Sequence, residues 1–419
     1  EDLYRIEAEL LLTLGRYDLA RSRLERALTR FPTSLRLRLL SREANLFTNN
    51  PKGAEARLQQ IGVLVTRRSG LPRTGDTLVA LGEAALMLGI EPRLVMENFF
   101  KRAQREPAPV RDSFLAMGRL ALDKRDRGLA SRTFQDGLKV FPDDPDLWSG
   151  LAASFLDGDR SKLVEYADHA LAINPHHIPT RLLFAEHLID AENYPAAAAE
   201  LDKVRAIHPR HPDALALRAV LAHLANDELG ADRHRTEALT DWSGNPRVDH
   251  LIGRKLSQKY RFTEGTAAQR RALAIDPAYQ PARIQLAQDL LRLGRDDEGW
   301  PLVAEAHAAD AYDVTAYNLV TLRDELAGFT TLTSPHFRLR MGANEARIYG
   351  DRALALLERA REKLTTKYGL TLTEPTTVEI YPNPKDFAVR TFGMPDRPGY
   401  LGVCFGSVIT ANSPATQRA

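Results

Sequence analysis

Ala-Leu, three intervening residues and Pro recur along this chain at intervals that set its possible architecture. The motif reads Ala27-Leu28 to Pro32, Ala170-Leu171 to Pro175, and Ala272-Leu273 to Pro277. Gly137-Leu138 before Pro142 and Val204 before Pro209 are looser copies. The prolines are separated by 33 residues (142 to 175), 34 (175 to 209) and 68 (209 to 277), the last being two periods. A period of this length is one helix–turn–helix unit, which buries its apolar face only by stacking on its neighbours. Several copies agree in phase, so the chain is predicted to build a one-dimensional helical array rather than a single closed core.

The first unit shows how the residues do this. Tyr4, Ala8 and Leu11 share one face of a first helix, at the i, i+4, i+7 spacing of an amphipathic helix. Gly15, in Leu14-Gly15-Arg16-Tyr17, can adopt the left-handed conformation that ends a helix. Ala20, Leu24 and Ala27 continue on a second helix, which Pro32 stops because it has no amide hydrogen to donate. The small residues at 8, 20 and 27 let the helices approach, and Tyr4 and Leu24 fill the space between. This set resembles the tetratricopeptide-repeat consensus of aromatic, small, aromatic, small, apolar, small and Pro, with Glu7 at the usual Leu position. Later copies hold the pattern, among them Trp148, Leu151, Ala152, Phe155, Ala170, Leu171 and Pro175. The resemblance implies a mainly α fold: a right-handed tetratricopeptide α-solenoid over residues 1–327 with about nine repeats. The stretches 33–109 and 212–246 are helical in pattern but poor in consensus residues, and are read as divergent repeats.

By that resemblance the first helix of each repeat lines a concave groove that binds a protein or peptide partner. Five residues after the aromatic position stand Glu9, Arg119, Ala153, Glu186, Val220, Arg254 and Gln288. Glu9, Arg119, Glu186, Arg254 and Gln288 are the polar candidates, with Glu186 and Arg254 able to grip an extended peptide by charge. The Lys/Asn clamp that some such modules use for a C-terminal carboxylate is not visible. His176, His177, His208 and His211 flank the repeat prolines at corresponding junctions and are read as exposed turn residues.

Composition narrows the function classes further. The net charge is +2 with mixed signs throughout, which gives no electrostatic case for nucleic acid. No apolar run approaches the roughly 18 residues of a membrane span. Cys404 is the only cysteine, so an intramolecular disulfide and a paired-cysteine zinc site are both excluded. There is no His-Glu-x-x-His and no Gly-rich phosphate loop after a strand. The chain opens on Glu1-Asp2 without Met, which is read as a missing N-terminus, so cytoplasm and periplasm stay open as compartments.

Beyond Leu326 the pattern changes. Residues 328–335 read as a linker, and His336 to Met341 alternates like a half-buried strand. A long helix capped by Asn344 and closed by Gly369 follows, with Ala353, Leu356, Leu357, Ala360 and Leu364 as its core face. Thr376–Tyr381 is a second strand, Phe387–Phe392 a short helix, 393–399 turn-rich, and Leu401–Ala411 a third strand with an unpaired edge. Cys404 is expected in the core of that strand. The ordered set His336-Phe337, Val378-Glu379-Ile380-Tyr381-Pro382, Asp386 to Thr391, Leu401 to Gly406 and Ser413-Pro414 resembles the opening of a gluzincin-like zinc metallopeptidase domain. The resemblance implies a small, incomplete α+β segment over 336–419, with Val403, Cys404 and Phe405 on a strand edging a substrate cleft. It also implies zinc, held by a His-Glu-x-x-His helix, in a longer parent. No cofactor is expected within these residues, so the chain is read as a binding scaffold fused to a catalytically incomplete domain. The alternative is the substrate-recruiting part of a peptidase whose catalytic helix lies past residue 419.

Overall fold

A computed structural model of the chain describes residues 1–66, 74–105, 109–156, 158–395 and 399–416. Parts of the expected divergent stretch 33–109 and of the turn-rich 393–399 fall outside these. The helices come in hairpins: α1 (Asp2–Thr13) with α2 (Tyr17–Arg30), α3 (Leu35–Leu46) with α4 (Pro51–Thr66), and α5 (Gly75–Met87) with α6 (Pro92–Val95). A π-helical turn over Met96–Phe100 leads from α6 to α7 (Lys101–Ala103). Then follow α8 (Arg111–Asp123) with α9 (Arg127–Val140), α10 (Pro145–Ala153) with α11 (Arg160–Ile173), and α12 (Ile178–Asp190) with α13 (Tyr194–Ile207). Next come α14 (Pro212–Leu224) with α15 (Glu228–Ala238), α16 (Pro246–Gln258), α17 (Phe262–Ile275), α18 (Gln280–Arg292) with α19 (Asp296–Ala309), and α20 (Val314–Leu326). The chain forms two compact units, Glu1–Ile252 and Gly253–Ala419, with the boundary inside α16.

Two local devices repeat with the period. The turn between the paired helices carries a left-handed residue, at Gly15, Asn49, Gly89, Arg125, Glu192, Asn226, Tyr260 and Gly294. A side chain in that conformation costs roughly 1–2 kcal/mol, so the turn geometry is imposed by helix packing even where glycine is lacking. The second device is the cap that opens the next helix. Ser34, Asp126, Asp144, Asp159, Asn193, Asp227 and Asp313 each accept a hydrogen bond from a backbone N–H of the first turn. Such caps are worth about 1 kcal/mol apiece. Small residues are buried where helices touch: Ala8, Ala20 and Ala27 are fully enclosed around Leu24. The stretch expected to be divergent is regular at α3, where Leu37 and Leu40 join that same core.

In the second unit the helices α17–α20 are followed by a five-stranded mixed sheet in the order β1-β2-β3-β5-β4. Its strands are β1 (Phe329–Thr333), β2 (Phe337–Gly342), β3 (Thr376–Tyr381), β4 (Gly402–Cys404) and β5 (Val408–Asn412). The expected linker is therefore largely a strand, since β1 pairs antiparallel with β2. The expected single third strand is a hairpin. Gly406, at φ +98°, turns β4 back onto β5, and β5 pairs parallel with β3, so β4 alone forms that edge. Between β2 and β3 lie α21 (Ala343–Glu345), a π-helical turn over Ala346–Gly350, and α22 (Asp351–Tyr368). Asn344 sits inside α21 rather than capping the helix, and Gly369 does close α22 in the left-handed conformation. Leu354 is the buried residue of α22, with Ala353 and Leu357 beside it, whereas Leu356 and Leu364 are exposed. The expected face was too wide because only the first turns of α22 reach the sheet.

The remaining helix, α23 (Pro384–Phe392), joins the sheet to the helices through a buried polar network. Arg390 pairs with Glu379 on β3 at 2.8 Å, both side chains being almost wholly enclosed, and Tyr381 donates to Glu379 at 2.9 Å. Arg390 also donates to the Leu291 carbonyl at 3.0 Å, and Arg292 to the Thr391 carbonyl at 3.2 Å. Arg292 is anchored in turn by Asp289 at 3.2 Å, whose buried carboxyl is pushed up to about 6 by loss of solvent. A buried pair of this kind does little for net stability when intact, but removing one partner leaves a stranded charge.

Candidate functional site: a charged cavity in the first unit

Unit 1 closes on itself. Tyr17, at the start of α2, and His208, just past α13, share a hydrogen bond at 3.2 Å although 191 residues separate them. Phe47 stacks on Tyr17 with ring centroids 4.5 Å apart and meets Trp242 edge-on at 5.3 Å. Asn49 donates to the Thr240 carbonyl at 3.0 Å and accepts from the Ser243 amide at 2.8 Å. Gly15 makes room for this clasp: a Cβ there would lie 2.3 Å from His208 Nε2, and its φ of +70° already favours glycine.

The clasp walls a cavity of about 540 Å³ onto which the first helices of the hairpins face. On α3, Arg36, Leu40, Glu43 and Phe47 line it at i, i+4, i+7 and i+11, a single helical stripe. On α8, Asp112, Leu115, Ala116 and Arg119 do the same. Six carboxylates line the cavity, from Glu9, Glu43, Glu83, Asp112, Asp146 and Asp213. Four guanidiniums face them, from Arg36, Arg111, Arg119 and Arg247.

Two of these arginines are each held by three acids. Arg36 reaches Glu9 at 3.2 Å, Glu83 at 3.0 Å and Asp112 at 3.6 Å, tying α1, α5 and α8 to α3. Arg111 pairs with Asp144, Asp146 and Asp112, the last at 2.9 Å. Asp146 also takes His177 at 3.2 Å and lies 3.7 Å from Arg119. Burial opposes the Asp146 charge, but His177, Arg111 and Arg119 outweigh it and hold this carboxyl well below the usual range. Glu43 differs. Among the described residues no side-chain hydrogen bond or ion pair reaches it, and its side chain is exposed. The surrounding protein pushes its carboxyl up despite the more distant Arg36 and Arg119. Glu83 is also pushed up by burial, against the pull of Arg36.

Of the residues singled out in the sequence, Glu9 and Arg119 line this cavity and Glu186 does not. Arg254 and Gln288 belong to the second unit. Gln288 is buried, and a Cβ on Gly393 would come within 2.6 Å of its side-chain nitrogen. The C-terminal end of α23 therefore covers it, and it presents no open groove. His177 and His208 are buried rather than exposed, because each turns inward to a partner, Asp146 and Tyr17 respectively; His176 is exposed as expected. In the edge hairpin Val403 is half-buried and Phe405 is enclosed against Phe262 at 5.8 Å. Cys404 is exposed, contrary to its expected place in the core, because strand alternation on β4 points it away from Val403's side. Arg36, Glu43, Glu83, Arg111, Asp112, Asp146 and Asp213 were not singled out. For Arg36 and Glu43 the legible signal was their shared face on α3, in a stretch set aside for its weak consensus.

Two segments, residues 11–62 and 164–221, match the family described as Tetratricopeptide repeat. The helical hairpins within those two segments match that family, and the fold is mainly α: an α-solenoid of tetratricopeptide type followed by a small α+β segment. No curated protein sequence matches the chain. Among solved structures, the Cut9–Hcn1 hetero-tetramer of the APC/C is similar at 16% identity and a TM-score of 0.44 over 73% of this chain. The chain spans 58% of the length of that relative. The human IFIT1 dimer with m7Gppp-AAAA gives 13% identity and a TM-score of 0.42, covering 76% of this chain and 77% of the other. Yeast Tom70 gives 14% and 0.37, covering 77% and 90%.

His208 supplies a pH test of the clasp. Burial first, then His211 and Arg210, lower its pKa to about 3, against an ordinary value near 6.5. The folded state thus binds fewer protons than the unfolded chain between these values, and stability falls as pH drops from about 6.5 towards 3. Urea unfolding followed by Trp fluorescence is expected to show this loss, with a shallower pH slope in His208→Gln. An unchanged slope in the variant would place the acid sensitivity elsewhere.

Proposed function

We propose that this protein is an interaction scaffold whose first unit takes an extended segment of a protein partner into the charged cavity. The observation that carries this is the walled cavity itself, of a size that suits a few side chains rather than a folded domain. Its inward groups are fixed by ion pairs from several helices, so little ordering remains to be done on binding. The carboxylate excess opposes entry of a polyphosphate chain, which favours peptide over nucleic acid. No helix among the described residues is long and apolar enough to cross a membrane. A peptide-display selection on the protein is expected to return binders that lose affinity when the cavity is filled by Thr13→Trp or Glu43→Trp. Binders indifferent to both substitutions would contradict a cavity site.

A second reading concerns residues 336–419, where the resemblance to a gluzincin-like opening assigns the parent a peptidase activity. What favours it is the short antiparallel strand β4 at the sheet edge, where a substrate backbone could add. The residues present do not fit zinc: among those described, no group of three or more His, Cys, Asp or Glu could hold a metal ion. His336 is committed to Glu358 at 2.8 Å, a pair rather than a metal site. No step is therefore derived through zinc, and the metal-binding residues of this reading would lie outside residues 1–419. Dialysed protein of these residues is expected to hold well under one equivalent of zinc by atomic absorption. One full equivalent would contradict that assignment.

A further inference from the structure

We infer that the cavity of the first unit selects a cationic side chain, lysine or arginine, presented by an extended protein segment, with Glu43 as its ion-pair partner. This rests on the peptide-binding reading above and adds the chemistry of the ligand.

The charge balance of the wall points this way. Six carboxylates face four guanidiniums, and the two lining imidazoles, His208 and His211, are both held towards the neutral form by burial and so do not offset the difference. The surplus is localised. Arg36 and Arg111 are each surrounded by three carboxylates, while Glu43 has no hydrogen-bonding or ion-pair partner of its own among the described residues. Glu43 is exposed towards the cavity and has no partner among the described residues to be displaced, so an entering cation can pair with it directly.

A separate observation concerns the shape of that cation. Phe47 lies one turn after Glu43 on the same stripe of α3 and, with Tyr17 and Trp242, forms an aromatic wall of the cavity. An aromatic wall next to an unpaired carboxylate matches a long side chain with an apolar stem and a charged head, which packs its methylenes on rings and places its cation at the end. A compact inorganic cation would use the carboxylate alone. An acidic peptide would bring like charges against six carboxylates.

The test uses fluorescein-labelled Lys-rich and Glu-rich nonapeptides of matched length, spermidine, and a single-stranded RNA oligonucleotide. Binding is read by anisotropy or by competition, with Trp fluorescence as a second signal. The Lys-rich peptide is expected to bind, to weaken as salt is raised, and to lose about tenfold or more in affinity in Glu43→Gln. Asp136→Asn, on the exposed face of α9, is expected to leave binding unchanged. Because Glu43 makes no internal bond, Glu43→Gln should keep the fold, which circular dichroism checks. Lys-peptide affinity unaffected by Glu43→Gln would overturn the inference, as would Glu43-dependent binding of the Glu-rich peptide or the RNA. Spermidine binding more tightly than the peptide would move the ligand to a free polyamine and overturn the peptide assignment. Cavity-dependent display binders without Lys or Arg enrichment would contradict this inference alone. The absence of any cavity-dependent binder would contradict the reading beneath it.

Discussion

The contact between Tyr17 and His208 joins the second helix of the chain to the turn after the thirteenth, and the first unit is organised around it. Both side chains are almost fully buried, so the hydrogen bond is shielded from water and the two aromatic groups contribute packing as well. Gly15 leaves the space that His208 fills, and Phe47 and Trp242 extend the contact by a further pair of rings. Without this contact a helical array presents an open groove, whose charged side chains stay hydrated. With it, the first helices of successive hairpins face one another across a cavity that stays partly open to solvent. Glu43, exposed towards that space and without an ion-pair partner among the described residues, is the carboxylate left available within it.

Much of this fold was legible in the sequence. The period of 33 to 34 residues set the hairpins, Gly15 marked a left-handed turn, and Pro32 stands two residues past the end of α2. Glu9 and Arg119 were placed by the same phase and do line the cavity. The closure itself was not legible, because Tyr17 and His208 are each ordinary repeat residues and only their distance in space gives them a role. Arg36 and Arg111 were missed for a related reason. Consensus strength measures how well helices pack, whereas Arg36 and Arg111 matter for what they face, and Arg36 falls in a stretch with weak consensus.

The errors in the second unit have physical causes of the same kind. Gln288 was assigned to an open groove by its repeat position, but α23 covers that position through Gly393. The run from Phe329 to Thr333 looked like a linker for its threonines, yet threonine is β-branched and suits an edge strand such as β1. Cys404 looked buried because its neighbours are apolar, but alternation along a strand decides burial residue by residue. Glu379, Arg390 and Arg340 could not be read as a network from sequence, since they come from two strands and a helix brought together by the sheet order.

The central claim is that the first unit is closed, and a crosslink across the clasp tests it most directly. Asn49 and Ser243 touch through their side chains at 2.9 Å, and the native Cys404 can be removed as serine. Asn49→Cys with Ser243→Cys in that background is predicted to form an intramolecular disulfide under mild oxidation, seen as a faster-migrating monomer on a non-reducing gel and lost with reductant. Free thiols that persist, or crosslinks formed only between molecules, would contradict the closed unit and the cavity that depends on it.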